Sequence, residues 1–266
     1  MGASRRLVAG TGWKMNNDAA ATRRYAAELH ARLATLPANS LELFVLPPFT
    51  SLHAAAEAFA PGPVAIGGQN MHWDDAGAWT GEISAPMLRE AGCRYVELGH
   101  SERLAHFGET YAAVRHKLNA AFRHGLTPIL CLGETADDRG TGRADAVLSA
   151  QAETALADQP AERVAETILA YEPRWAIGAA AAAAPEYVAA RHGAIRALVA
   201  RRWGAAAAAA VRIVYGGSVT PDNGAALVSL ADVDGLFVGR AAWTAEGFAA
   251  IIALVARAAM TKGGCP

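Results

Sequence analysis

Disulfide bonding has little to work with in this chain of 266 residues, which holds three cysteines, Cys93, Cys131 and Cys265. They are odd in number and widely separated. They therefore supply neither a disulfide framework nor paired metal-ligand spacing, and they fit a reducing cytoplasm. An excess of one charge is also missing. A formal net charge of -1 gives no field for nucleic acid or an anionic membrane, so any anionic ligand must be held by local groups. Uninterrupted apolar runs of spanning length are absent too. The alanine-rich tracts are broken by Pro185, Arg191 and Arg201-Arg202, so no membrane span is expected. The apolar segment after Arg5-Arg6 is too short for a signal-peptide core, and Trp13-Lys14 interrupts it. No HExxH occurs, and His100 and His106 lack i, i+4 spacing, so no metal is expected.

What the chain does have is a repeated alternation. Hydrophobic residues make up 53% and charged residues 18%, enough to bury a sizeable core. Short apolar runs begin at Leu7, Leu41, Val64, Tyr95, Thr127, Thr167, Val211 and Val233. Each precedes a stretch with helical periodicity, as where Tyr111, Val114, Leu118 and Phe122 share one face, or Phe248, Ile251, Ile252 and Val255. The first helix is expected over about Asp18 to Leu36 and the sixth after Pro185, carrying Val188, Ile195 and Val199. Eight strand–helix units with no break in composition predict a single domain over residues 1–266. Parallel strands covered by helices follow, and a closed (β/α)8 barrel fits this length better than an open doubly wound sheet. The alanine tract 205–210 is assigned no function.

In such a barrel, active groups belong at the carboxyl ends of the strands. Those positions hold Gly12 to Asn16, Gly99 to Arg103, Glu172, Gly216-Gly217-Ser218 and Gly239-Arg240. Pro173 disfavours the helical region for Glu172 and so offers its carboxylate from the end of a strand. Behind it, Pro173-Arg174-Trp175-Ala176-Ile177-Gly178 has the form of a lid with one large anchor. The two glycine-bearing turns let backbone N–H groups approach an anion, and barrels commonly place a phosphate there. A carboxylate, an imidazole and an ammonium converging on that place can move a proton beside a carbonyl. Each has a bland alternative: Lys14 as a surface lysine, His100 as a core histidine, Glu172 as a solvated loop residue, Glu102-Arg103 as a local ion pair.

Four stretches carry a specific resemblance: Trp13-Lys14-Met15-Asn16, Glu97 to Arg103, Ala170 to Gly178, and Tyr215-Gly216-Gly217-Ser218-Val219. With Gly68-Gln69-Asn70 and Thr80 to Ser84, they resemble the triosephosphate isomerase family in order along essentially the whole chain. The resemblance implies a TIM barrel and no cofactor. It makes Glu172 the base, His100 the neutral electrophile and proton shuttle, and Lys14 the group that stabilises the enediolate. Gly12, Lys14, Gly178, Ser218, Gly239 and Arg240 would line the substrate, with its phosphate near the last four. The loop Gln69–Ser84 would form a homodimer by docking beside the partner's Lys14 region. The reaction implied first is interconversion of glyceraldehyde 3-phosphate and dihydroxyacetone phosphate. A non-catalytic sugar-phosphate-binding protein is the remote alternative.

Three positions depart from the family pattern. Gly12 stands where the family usually has asparagine, Gly239-Arg240 where it has Gly-Gly, and Ala179 to Ala182 replace a polar lid hinge. The first two resemble a branch acting on L-erythrulose 1-phosphate and D-erythrulose 4-phosphate, which is the alternative substrate reading.

Overall fold

The computed structural model describes residues 5–178 and 182–262. Eight parallel strands close on themselves: β1 (Val8–Gly12), β2 (Glu42–Leu46), β3 (Val64–Gly68), β4 (Tyr95–Leu98), β5 (Thr127–Leu132), β6 (Ile168–Tyr171), β7 (Arg212–Tyr215) and β8 (Gly235–Val238). Closure comes from β1 pairing on both sides, with Val8 opposite Glu42 of β2 and opposite Gly235 of β8. Parallel neighbours need a crossover, and a helix follows every strand to supply it. The barrel expected from the alternation is the fold observed.

Apolar residues occur on both faces of the strands because both faces are covered. Alternate positions point inward. Val8, Phe44, Leu46, Tyr95, Ile129, Ile168, Val214 and Phe237 fill the barrel interior. Ala9, Leu43, Val45, Val96, Leu98, Leu130 and Leu169 face the helices. Gly10 belongs to the inward row of β1, and a Cβ there would overlap the Phe44 ring, so this glycine makes room for an aromatic plug. The interior is a packed core, and a ligand can be held only at its ends.

The helices bury the predicted faces. In Ala19–Leu33, the Asp18 side chain accepts a hydrogen bond from the Ala21 N–H, and Tyr25, Ala26, Leu29 and Leu33 turn inward. Val114 and Leu118 are fully buried in Tyr111–Arg123, as are Phe248, Ile251, Ile252 and Val255 in Ala245–Lys262.

Boundaries moved where pairing overrode local pattern. The first helix stops at Leu33, short of Leu36. Strand β1 runs on to Gly12 because Thr11 and Gly12 pair with Val45 and Leu46. Strand β8 begins at Gly235, since Asp234 instead turns its carboxylate to Arg5, Arg196 and the Ile213 N–H. The alanine tract 205–210 continues the helix Pro185–Ala210 beyond a break at Gly204, whose φ of 91° ends the regular turn. Ala179 to Ala181 and Cys265 lie outside the described residues.

Candidate functional site

At the carboxyl end of the barrel, a cavity of about 900 Å³ gathers Gly12, Lys14, His100, Glu172, Gly178, Ser218, Gly239 and Arg240. Every site residue expected from the sequence therefore lines one cavity. Arg240 is exposed and makes no ion pair with Glu246 among the described residues.

Glu172 follows β6 directly, and its N–H donates to the Leu132 carbonyl at 2.8 Å, so the strand's pairing fixes the backbone beneath the carboxylate. Two glycines make its place. A Cβ at Gly133 would overlap the Glu172 carbonyl oxygen, and one at Gly216 would come within 2.7 Å of the Glu172 Cγ. Glu172 is 4% exposed, and its Oε2 accepts no hydrogen bond among the described residues. Burial first, then the neighbouring charge of Glu97, raises its pKa well above the ordinary carboxylate range, against the pull of Lys14. A desolvated carboxylate with one oxygen left without a hydrogen bond is a strong base when ionised.

His100 caps the short helix Ser101–His106. Its Nδ1 accepts a hydrogen bond from the Glu102 N–H at 3.2 Å, which leaves the hydrogen of the neutral ring on Nε2. Nε2 stands 3.6 Å from Glu172 Oε2. Burial, then the Lys14 charge, lowers the imidazole pKa to about 4, with Glu102 and Glu109 opposing. A neutral imidazole facing a base is the arrangement for which triosephosphate isomerase is the type case.

Lys14 sits in the left-handed region with φ of 53°. The Gln69 side chain helps hold it there by donating to both the Lys14 and the Leu46 carbonyls at 2.9 Å. Its ammonium pairs with the Glu102 carboxylate beside His100. Across the mouth, Ser218 has φ of 41°, and its carbonyl accepts from the Asn223 side chain at 3.0 Å.

The family model for triosephosphate isomerase matches residues 7–255. The chain belongs to the triosephosphate isomerase family. It is 46% identical over 244 residues to an L-erythrulose-1-phosphate isomerase of Mesorhizobium japonicum, covering 91% of this chain and 94% of that one. It is 45% identical over 246 residues to a triosephosphate isomerase of Chloroflexus aurantiacus, covering 92% and 97%. A crystal structure of triosephosphate isomerase from Bartonella henselae superimposes with a TM-score of 0.84 at 36% identity, covering 94% of this chain and 98% of that one. The chain is thus an isomerase of this family, whose type reaction converts an aldose phosphate to a ketose phosphate.

Two residues of the site region were given no role by the sequence reading. Glu134, fully buried, accepts hydrogen bonds from Tyr171 Oη (3.1 Å), Trp175 Nε1 (2.8 Å) and Tyr187 Oη (2.9 Å). It ties the expected lid anchor, Trp175, to β6 and to the helix behind, while the Arg139 guanidinium lies 4.0 Å over the indole ring. On the far side of the lid, the Ala183 N–H donates to Tyr215 Oη at 3.1 Å. The second residue is Glu97, on the inward row of β4. A carboxylate inside an otherwise apolar strand was the signal that could have found it.

The electrostatics of His100 give a direct check. We expect the imidazole 15N shifts to report the neutral Nε2–H form from pH 8 down to about pH 5, with protonation only near 4. Titration at the ordinary histidine value would contradict the burial and the Lys14 field described here.

Proposed function

We propose that this isomerase acts on four-carbon ketose phosphates, interconverting L-erythrulose 1-phosphate and D-erythrulose 4-phosphate through an enediolate. The observation that carries this reading is the space beside Gly12. A Cβ added there would find its nearest atoms at 3.6 Å, on the Phe237 ring, and at 3.8 Å, on Glu97 Oε2. That is ordinary contact distance, and the φ of Gly12 is not positive. Neither packing nor backbone geometry demands glycine, so the gap is available to a ligand. The four-carbon substrate is a triose phosphate extended by one carbinol at the reacting end, away from the phosphate, and that is the end the gap serves.

In this reading Glu172 removes the proton from the carbinol carbon next to the carbonyl. The neutral His100 hydrogen-bonds through Nε2–H to the developing oxyanion and passes a proton between the two oxygens. Lys14 stabilises the negative charge. Glu172 then returns its proton to the former carbonyl carbon, so the carbonyl moves by one position with no net gain or loss. Gly178, Ser218, Gly239 and the guanidinium of Arg240 hold the phosphate, while closure of the lid over Trp175 excludes water. The second reading, exchange of glyceraldehyde 3-phosphate and dihydroxyacetone phosphate, uses the same groups and is favoured by the name of the Chloroflexus relative.

We also propose a homodimer through the loop over residues 69–84. The His72 ring stacks on Trp73 with centroids 4.2 Å apart and lies 4.4 Å from Trp79, and the His72 N–H donates to the Ile83 carbonyl, which stiffens the loop. Met15, beside Lys14, is 95% exposed and offers an apolar contact for a partner's loop. Sedimentation at micromolar concentration should give twice the chain mass; a monomer there would exclude the dimer.

Glu172→Gln should lower kcat by roughly 10²–10⁴-fold, the usual contribution of a positioned general base; a loss under tenfold would remove Glu172 from that role. For the substrate, kcat/KM should be higher on L-erythrulose 1-phosphate than on glyceraldehyde 3-phosphate. Gly12→Asn should fill the gap and shift the ratio toward the three-carbon compound. A shift the other way would show that the space beside Gly12 does not set substrate length.

A further inference from the structure

Glu97 is a costly residue for the place it occupies. It belongs to β4, where Tyr95 points into the barrel and Val96 and Leu98 point out to the helices. The period of two carries Glu97 inward, into the layer that forms the cavity floor. It is 7% exposed. Oε1 receives only the weak donor Cys131 Sγ, at 3.7 Å. No hydrogen bond or ion pair reaches Oε2 among the described residues, and that oxygen faces the space beside Gly12. Glu97, Cys131 and Glu172 each bring one polar atom to within 4.8 Å of the others, so a second carboxylate adds repulsion to desolvation. Burial, above all, raises the pKa of Glu97, and Lys14 only partly offsets it. An apolar residue would close the floor without these penalties. Beyond the weak Cys131 contact to Oε1, no hydrogen bond among the described residues uses the carboxyl group, and Oε2 is left for a ligand.

The geometry of the reaction says which part of the ligand. With the phosphate at Gly178, Ser218 and Gly239, and the reacting carbons between Glu172 and His100, any further carbon must extend away from the phosphate. The space there has three walls: the bare backbone of Gly12, the Phe237 ring and Glu97 Oε2. Because one oxygen each of Glu97 and Glu172 lie within 4.8 Å of one another, a hydroxyl one carbon beyond the atom that Glu172 deprotonates would come within hydrogen-bond reach of Glu97. The Phe237 ring would then face the intervening methylene. A triose phosphate has no group to place there and would leave the carboxyl to water.

We propose that Glu97 is a specificity-determining residue, whose free carboxyl oxygen hydrogen-bonds the terminal hydroxymethyl group of a substrate one carbon longer than a triose phosphate. This rests on the four-carbon reading above. Glu97 acts on substrate length, while Glu172 carries the proton transfer.

The test measures kcat/KM on L-erythrulose 1-phosphate and on dihydroxyacetone phosphate for the wild type, Glu97→Leu and Glu97→Gln. A hydrogen bond to an ionisable group corresponds to about a tenfold effect or more. Glu97→Leu should therefore lower the four-carbon to three-carbon ratio at least about tenfold. Glu97→Gln keeps the shape and an acceptor oxygen, so it should lower the ratio less and restore part of what leucine loses. Should the leucine variant fail to fold, as read by its melting temperature, the near-isosteric Glu97→Gln still has to lower the ratio by about threefold. A parallel fall on both substrates would make Glu97 a support for Glu172 and overturn the proposal, as would an unchanged ratio. The two readings separate cleanly. A wild type that favours the four-carbon compound, with a ratio indifferent to Glu97, overturns Glu97 alone. A wild type that favours the triose, with a ratio that still falls in Glu97→Leu, overturns the substrate reading and supports Glu97. A wild type that favours the triose, with an unchanged ratio, overturns both.

Discussion

Closure of eight parallel strands into one barrel, through the pairing of β1 with both β2 and β8, is the constraint on which the site depends. Parallel strands all end on the same rim. The inward side chains Phe44, Tyr95, Ile129 and Phe237 pack the interior, so the barrel has no lumen to hold a ligand. Chemistry is confined to the residues that continue the strands past that packed layer. Gly12, Glu97, Glu172 and Gly216 owe their proximity to this geometry alone, since they lie on four different strands or strand ends.

The same rim imposes a desolvated environment, and the electrostatics follow from it. Burial favours the uncharged form of every ionisable group placed there. It raises Glu172 and Glu97, keeps the Cys131 thiol protonated and lowers His100. Lys14, paired with Glu102 at the edge of the cavity, is a cation whose field reaches Glu97, His100 and Glu172. Burial holds the imidazole neutral, and one ammonium adds to that effect while limiting how far the carboxylates rise. Two carboxyl groups within 4.8 Å titrate as a pair, so the protons they share belong to the floor of the cavity and not to one residue.

Around this centre the segments on either side of the expected lid are held by side chains far apart in the chain. Glu134 collects donors from Tyr171, Trp175 and Tyr187, and Tyr215 receives the Ala183 N–H on the other side. The first set ties the lid's beginning to β6 and to the helix Pro185–Ala210; the second ties its end to β7. Gly178, with φ of 70°, lies between these anchors and lines the cavity.

Much of this was legible in the sequence because it is local. Periodicities of 2 and 3.6 located eight strand–helix units, and Pro173 marked Glu172 as the end of a strand. The Gly-Gly-Ser and Gly-Arg turns stood out by composition, and the motifs around Lys14 and His100 placed both at strand ends. Strand limits were less legible, since β1 gains Thr11 and Gly12 only by pairing with β2, and β8 loses Asp234 to ion pairs with Arg5 and Arg196. Glu134 was invisible, because its three donors come from segments that meet only in the folded barrel. Gly12 could be read as a missing side chain, but whether that left a gap depended on how closely Phe237 and Glu97 approach it. By itself the sequence determined the fold and the order in which the candidate side chains follow its strands, both properties of short segments. Only the tertiary structure decided how much space lies beside the reacting end and which carboxyl group faces it, because those are distances between strands that are remote in sequence.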